Sequence, residues 1–164
     1  MNHIIKNWII LLFTLSLIAI ISALTAEFFF DLAPCKMCLK QRHPYYAIII
    51  IIILFYFFRR LKNIWLFISN EFAILYGLFY AIWHVGIEQK ILPGPASCSG
   101  TLSKTSSIQN LKEQISSQAI VNCIDISWTI LGFSAATINS ILLLFILIFN
   151  SIYIVQNFYD PKKI

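Results

Sequence analysis

Long apolar stretches, separated by short polar segments, dominate the hydrophobic pattern of the chain. Crossing the hydrocarbon core of a bilayer as a helix takes about 20 mostly apolar residues. Four stretches meet this condition and predict membrane spans over approximately 7–27, 41–58, 66–87 and 129–150. The second stretch is the shortest, and it reaches full length only if its helix begins near Leu39.

Four spans would place both chain termini on one side of the membrane and two loops, approximately 28–40 and 88–128, on the other. Within the second loop, Ser106 and Gln109 have the spacing of a capping box, and the apolar residues that follow recur at helical spacing. We therefore predict a short amphipathic helix on the membrane surface, with a solvated helical linker as the alternative. The expected fold is an all-α membrane protein: a four-transmembrane-helix bundle in a single integral membrane domain, 1–164.

Composition supports a membrane protein and excludes two other classes. Hydrophobic residues make up 59% of the chain and charged residues 12%, against about 45–50% and about 25% in soluble domains. The net charge of +5 does not indicate a nucleic-acid binder, because the basic residues are scattered among apolar runs. The first apolar run is also longer than the h-region of a signal peptide, which is about 7–15 residues, so we expect it to be retained.

Basic residues orient the predicted bundle. Lysines and arginines are divided equally between the two sides, but Arg59, Arg60 and Lys62 form a compact group in the short middle loop. Short loops carry most of the weight in the positive-inside rule. The middle loop and the termini are therefore predicted to be cytoplasmic, and the two longer loops to face an oxidising compartment, where disulfides persist.

All four cysteines, Cys35, Cys38, Cys98 and Cys123, fall in those two longer loops. An even number of cysteines fits two disulfides or one zinc site with four thiolate ligands. Zinc sites usually take their second cysteine pair at close spacing, whereas Cys98 and Cys123 are far apart in the sequence. We expect no metal.

The C-x-x-C sequence of Cys35 and Cys38 is better explained as a redox pair than as a structural staple, because a disulfide across so small a loop adds little stability. Arg42 follows Cys38 by four positions, and a guanidinium and a helix N-terminus both lower the pKa of a nearby thiol. Pro44 is compatible with the first turn of such a helix. The alternative for Arg42 is an interfacial anchor. Two cysteine pairs on one membrane face indicate a thiol–disulfide relay, and a quinone is the obvious lipid-soluble electron acceptor.

At these residues the sequence resembles the bacterial disulfide bond formation protein B (DsbB) family. The block from Pro34 to Tyr45 is similar to the family's P-C-x-x-C-x-x-Q-R-x-P-Y. A second block runs from His84 to Glu88 and continues to Cys98 through a Pro-Gly-Pro turn. A third block is carried by Cys123, Asp125, Trp128, Leu131, Gly132, Phe133, Ser134 and Asn139.

The resemblance implies an enzyme of the bacterial inner membrane. Such a thiol oxidase reoxidises a periplasmic DsbA-like partner and passes the electrons to ubiquinone or menaquinone. Carried over to this sequence, Cys98 would form the mixed disulfide with the partner, Cys123 would be its intramolecular mate, and Cys35 would exchange with that pair. Resting disulfides are expected between Cys35 and Cys38 and between Cys98 and Cys123. An inter-loop disulfide such as Cys38–Cys98 is expected as an intermediate.

The resemblance also assigns a quinone site. Cys38 would meet the quinone as a thiolate, and Arg42 would donate a hydrogen bond to a quinone oxygen. His84 and Glu88 would lie near the ring, with helix packing or an interfacial position as the alternative. Two other functions compete: a non-enzymatic membrane protein with two structural disulfides, and a quinone-linked enzyme similar to vitamin K epoxide reductase.

Overall fold

The computed structural model describes residues 7–61, 63–95, 98, 122–124, 129–130 and 132–159. Four helices and one short hairpin account for most of them: α1 (Trp8–Phe28), α2 (Lys36–Phe57), α3 (Ile64–Glu88), β1 (Thr129–Ile130), β2 (Phe133–Ser134) and α4 (Ala135–Tyr159). The predicted surface helix, with Ser106 and Gln109, lies outside these residues, as do Asp125, Trp128 and Leu131.

The four helices pack as an up-and-down bundle and are all long and apolar enough to cross a membrane. α3 packs against both α2 and α4, and α1 packs mainly against α2. Side chains such as Leu12, Ile48, Ile74 and Leu143 are fully buried between the helices, while large apolar side chains on the outer faces remain exposed, as lipid contact requires. The predicted all-α, four-helix membrane bundle is confirmed.

α2 begins at Lys36, before the predicted start of the second span, because Cys35 caps the helix. Pro44 is consequently inside the helix rather than in its first turn. Proline has no N–H to offer the carbonyl four residues back, and the ring of His43 instead lies 3.3 Å from the Lys40 carbonyl oxygen through Nδ1. The proline ring fits against Gly77 of α3, where an added Cβ would lie 2.6 Å from the Pro44 Cγ.

α4 begins at Ala135, later than the predicted start at 129. The preceding residues form a two-stranded antiparallel hairpin, in which Thr129 pairs with Ser134. Gly132 sits in its turn with a φ of 84°, in the left-handed region that glycine tolerates. Ser134 then caps α4, since its Oγ accepts the Thr137 backbone N–H at 3.2 Å. These turn and cap residues set the boundary, although the apolar run extends through them.

A buried polar cluster fixes the end of the bundle opposite the cysteines. Asn150 of α4 is fully buried and accepts the Trp8 indole N–H at 3.2 Å. Its amide N–H groups donate to the Phe67 carbonyl at 3.0 Å and to the Glu71 carboxylate. Because these partners belong to α1 and α3, one asparagine ties three helices together.

Candidate active site

Cys35 and Cys38 lie at the N-terminus of α2. The Cys35 sulfur accepts the backbone N–H of Cys38 at 3.2 Å, and the two Sγ atoms are 2.7 Å apart. Both are free thiols in this structure, which therefore describes the reduced state of the pair, and the disulfide expected in the oxidised resting protein stays a prediction. Cys35 is buried, with 4% of its surface exposed, whereas Cys38 is half-buried.

The environment of Cys35 favours its thiolate. The hydrogen bond from the Cys38 side chain is the largest cause, and together with His84 and the Cys38 backbone N–H it outweighs burial and lowers the pKa of Cys35 to about 4. The sequence had assigned the stabilised thiolate to Cys38, beside Arg42. The difference follows mainly from the contact between the two sulfur atoms and from His84, while the backbone N–H of Cys38 contributes least.

Cys98 and Cys123 form a disulfide, as predicted. Both are buried and belong to one cluster with Cys35, Met37 and Ile87. The Cys123 sulfur, the Cys35 sulfur and a ring nitrogen of His84 all lie within 4.8 Å of one another. The structure therefore places Cys35 beside Cys123, in keeping with the expected exchange of Cys35 with this pair, while the Cys38–Cys98 intermediate stays a prediction.

Cys35, His84 and Cys123 are spaced closely enough to resemble a set of metal ligands. Zinc, however, binds cysteine as the thiolate, and the Cys123 sulfur is committed to its bond with Cys98. The chemistry of this group is that of a disulfide facing a thiolate and an imidazole, which suits thiol–disulfide exchange.

His84 is held by a series of hydrogen bonds from two other helices. Its Nδ1 lies 2.8 Å from the Gln41 amide nitrogen, and its Nε2 lies 3.6 Å from the Cys35 sulfur. The Gln41 carbonyl oxygen accepts an N–H of Asn139 at 2.9 Å, and the Tyr45 hydroxyl donates to the Asn139 carbonyl oxygen. We call Tyr45, Asn139, Gln41 and His84 the polar chain.

A cavity of about 340 Å³ opens on the other side of Cys38, among α1, α2 and the start of α4. Its volume falls in the range of small-molecule sites, about 300–1,000 Å³. Its polar lining is small, and apolar residues of α1 and α4 form most of the wall. The polar residues are Ser22, Cys38, Gln41, Arg42, Tyr45 and Asn139. This composition fits a largely apolar molecule that carries a few hydrogen-bond acceptors.

Arg42 lies at this cavity, but its guanidinium is already engaged. It forms an ion pair with Glu27 at the end of α1 and donates to the Ala23 carbonyl oxygen at 3.3 Å. Within the part of the chain that the structure describes, the guanidinium makes no hydrogen bond to the Cys38 sulfur. Sequence reasoning missed Glu27, which follows the charge-free stretch of the first span and could have been paired with Arg42 on that ground.

His84 and Glu88 lie beside the thiols. Among the described residues, neither belongs to the cavity lining. Glu88 Oε1 is 3.9 Å from His84 Nε2, and its other oxygen accepts the Ser134 hydroxyl. Sequence reasoning missed the hydrogen bonds of Gln41 and Asn139 that support His84. The signal for them was their polarity within apolar spans, where polar side chains are usually functional.

Similarity to known proteins extends over most of the chain. The model of the family described as "Disulfide bond formation protein DsbB" matches residues 5–153. A curated relative, the uncharacterized protein RP370 of Rickettsia prowazekii (strain Madrid E), is 32% identical over 142 residues, covering 85% of this chain and 82% of that protein. No solved structure gives a significant match. With a C-x-x-C pair, a disulfide beside it and a family match over most of its length, the chain belongs to the DsbB family of disulfide bond formation proteins.

Proposed function

We propose that the protein reoxidises a periplasmic DsbA-like dithiol oxidase and passes the electrons to a membrane quinone, ubiquinone or menaquinone. The family places it in the membrane machinery of disulfide bond formation, as an oxidoreductase. One observation carries the finer proposal: the reduced pair at the start of α2 faces a disulfide on one side and an apolar cavity on the other. A cysteine pair in that position can undergo thiol–disulfide exchange with the disulfide and deliver electrons to a molecule bound in the cavity.

The relay begins at the second disulfide. A thiolate of the partner attacks the Cys98 sulfur, the Cys98–Cys123 bond breaks, and Cys123 leaves as a thiolate. Cys123 then attacks Cys35 of an oxidised Cys35–Cys38 pair, the Cys35–Cys123 bond forms, and Cys38 leaves with the electron pair. The proximity of the Cys35 and Cys123 sulfurs supports this order. The second thiol of the partner attacks the partner's own sulfur in the mixed disulfide, which leaves the partner oxidised and releases Cys98 as a thiolate. Each exchange moves two electrons between sulfur atoms and needs no other oxidant.

The cavity beside Cys38 supports a quinone as the final acceptor. A quinone bound there supplies a two-electron, two-proton sink. Cys38 lies at the cavity wall, and the N–H groups of Arg42 that Glu27 and Ala23 leave free can donate to a carbonyl oxygen in the cavity. Glu27 and the Ala23 carbonyl fix the guanidinium against α1, so this donor is held in place before any ligand binds.

We further propose that the protein lies in the bacterial inner membrane, with its termini cytoplasmic and both cysteine loops in the periplasm. The exposed Arg59 and Arg60 lie between α2 and α3, at the end of the bundle opposite the cysteines. Basic residues in a short loop favour the cytoplasmic side. The cysteines then face the compartment in which disulfides are made.

The decisive experiment measures quinone reduction by the purified protein with two electron donors, a reduced DsbA-like partner and a small dithiol. Cys98→Ala should abolish the partner-driven reaction and retain the reaction driven by the small dithiol, which reaches the Cys35–Cys38 pair directly. Cys38→Ala should abolish both reactions. Full partner-driven activity in Cys98→Ala would show that the relay order is wrong, and no quinone reduction by the unaltered protein with either donor would refute the function.

A further inference from the structure

The polar chain has a direction. An amide side chain accepts through its oxygen and donates through its nitrogen, so each partner orients the next one. The Tyr45 hydroxyl occupies the Asn139 oxygen, and the Asn139 nitrogen therefore faces the Gln41 oxygen at 2.9 Å. The Gln41 nitrogen is left to face His84 Nδ1 at 2.8 Å. Because an amide nitrogen only donates, His84 Nδ1 accepts in this orientation of the Gln41 amide.

The opposite edge of the ring meets acceptors. His84 Nε2 lies 3.6 Å from the Cys35 sulfur and 3.9 Å from Glu88 Oε1. The other ionisable group in this cluster is Cys38, which contacts Cys35; the Cys123 sulfur, within 4.8 Å, is in its disulfide. A thiolate and a carboxylate both require an N–H at Nε2, and a second ring proton on Nδ1 would point at the Gln41 N–H. Both edges therefore require the same neutral tautomer.

We propose that the polar chain fixes His84 as the neutral Nε2–H tautomer, which donates a hydrogen bond to the Cys35 sulfur and stabilises Cys35 as the leaving thiolate in its exchange with Cys123. This rests on the proposed function only in requiring that the two cysteine pairs exchange. It moves His84 from the quinone ring, where the family resemblance had placed it, to the thiol reaction. Gln41 and Asn139 are positioning residues that act through His84.

The step concerned closes the second disulfide again. The Cys98 thiolate attacks Cys123 in a Cys35–Cys123 disulfide, the Cys98–Cys123 bond forms, and the bond to Cys35 breaks. Cys98 is oxidised, and Cys35 takes the electron pair as a thiolate. The donor faces a neutral disulfide sulfur before the step and a charged sulfur after it, so it stabilises the departing thiolate more than the starting state and accelerates the step.

The first test reads the tautomer directly. Nitrogen-15 NMR of the histidine rings in the full-length reduced protein distinguishes a proton on Nε2 from one on Nδ1. The chain has three histidines, and His84→Gln identifies the His84 signals by their loss. We expect a neutral Nε2–H ring at neutral pH. A proton on Nδ1, alone or in a doubly protonated ring, would overturn the proposal, and this measurement needs no variant that might fail to fold.

The second test reads the consequence at sulfur. In a Cys98→Ser/Cys123→Ser background, Cys35 and Cys38 are the only cysteines, and the pH midpoint of thiolate absorbance follows the pair. His84→Leu removes the donor and should raise the first midpoint by about 1–2 pH units, the equivalent of a hydrogen bond to a charged group. His84→Gln retains an N–H and should restore part of the difference.

The matched control is His43→Leu, since His43 is exposed on α2 and contacts the Lys40 carbonyl rather than a thiol. It should leave the midpoint unchanged. An unchanged midpoint in His84→Leu would refute the proposal. Neither test contains quinone or partner, so the proposal can fail while quinone reduction stands. Conversely, if the unaltered protein does not reduce quinone, the measured His84 tautomer and the measured thiolate midpoint still decide the proposal about His84.

Discussion

Replacing Arg42 by methionine separates a quinone ligand from a membrane anchor. The Arg42 side chain is 13% exposed, and its guanidinium binds Glu27 and the Ala23 carbonyl oxygen. A guanidinium has five N–H donors, so the group keeps donors free for an acceptor in the cavity. Methionine preserves much of the apolar stem but removes every donor and the charge.

The expected loss is that of one hydrogen bond to a charged group, about 1.5–3 kcal/mol, which corresponds to a rise of about 10- to 150-fold in the apparent KM for quinone. Arg42→Lys should recover only part of this loss, because lysine keeps the charge but lacks the planar fork that can bind Glu27 and a quinone oxygen together. For a simple interfacial anchor, lysine would serve nearly as well as arginine, and KM would not change.

The assay is steady-state quinone reduction with a small dithiol as donor, which bypasses the second disulfide. The charge-matched control is Arg60→Met, at the far end of α2 and exposed, which should leave KM unchanged. Arg42→Met also leaves the Glu27 carboxylate without its partner, so the Glu27→Gln/Arg42→Met double variant is compared with Glu27→Gln. An unchanged KM for Arg42→Met in both backgrounds would remove Arg42 from the site.

Three further predictions concern stability. Asn150→Ala should lower the free energy of unfolding in detergent titrations by about 1–3 kcal/mol, because it leaves buried polar partners on two other helices unsatisfied. Gly77→Ala should cost about 1–3 kcal/mol by overpacking against the rigid Pro44 ring, whereas Gly86→Ala, which meets the flexible end of Leu92 at the same 2.6 Å, should cost much less. The pKa of Cys35 is lowered from about 9 to about 4, so its thiolate stabilises the reduced protein increasingly as the pH rises from about 4 to about 9. That gain should fall as the pH is lowered from 9 to 4, and Cys35→Ser, measured by the same titrations, should lack this dependence.

The fold was predictable where apolar runs coincide with helices, and less so at two boundaries. α1 and α3 lie close to their predicted spans, since charged residues flank the apolar runs. α2 begins earlier than the hydropathy pattern indicates, because its first turn is polar and its cap is Cys35, outside the usual Ser, Thr, Asp and Asn. α4 begins later, because Gly132 reverses the chain within an apolar run.

The reactive cysteines of the candidate site were predictable from the sequence, but the hydrogen bonds that position the residues around them were not. The C-x-x-C pair and the second cysteine pair are visible in sequence because cysteine is chemically distinctive. The bonds that Gln41 makes join residues 43 and 98 positions apart, on different helices. No local periodicity encodes such contacts, so the sequence identified His84 as a site residue without indicating which reactive group it contacts.

Gln41 contacts both the cavity, where electrons would be delivered, and His84, which lies beside the exchanging thiol Cys35. Residues other than Gln41 are therefore needed to separate the two reactions. The Gln41 amide lines the cavity beside Cys38 and also bonds His84, which contacts Cys35. An amide in an apolar span is costly unless it is hydrogen-bonded, and here both ends of the amide have partners. A change at Gln41 would disturb the cavity and the thiol together. Of the two centres, Arg42 lines only the cavity and His84 contacts only the thiol, so a double-mutant cycle between them measures how strongly electron delivery and disulfide exchange are coupled. Repeating the cycle in a Gln41→Ala background measures how much of that coupling depends on Gln41.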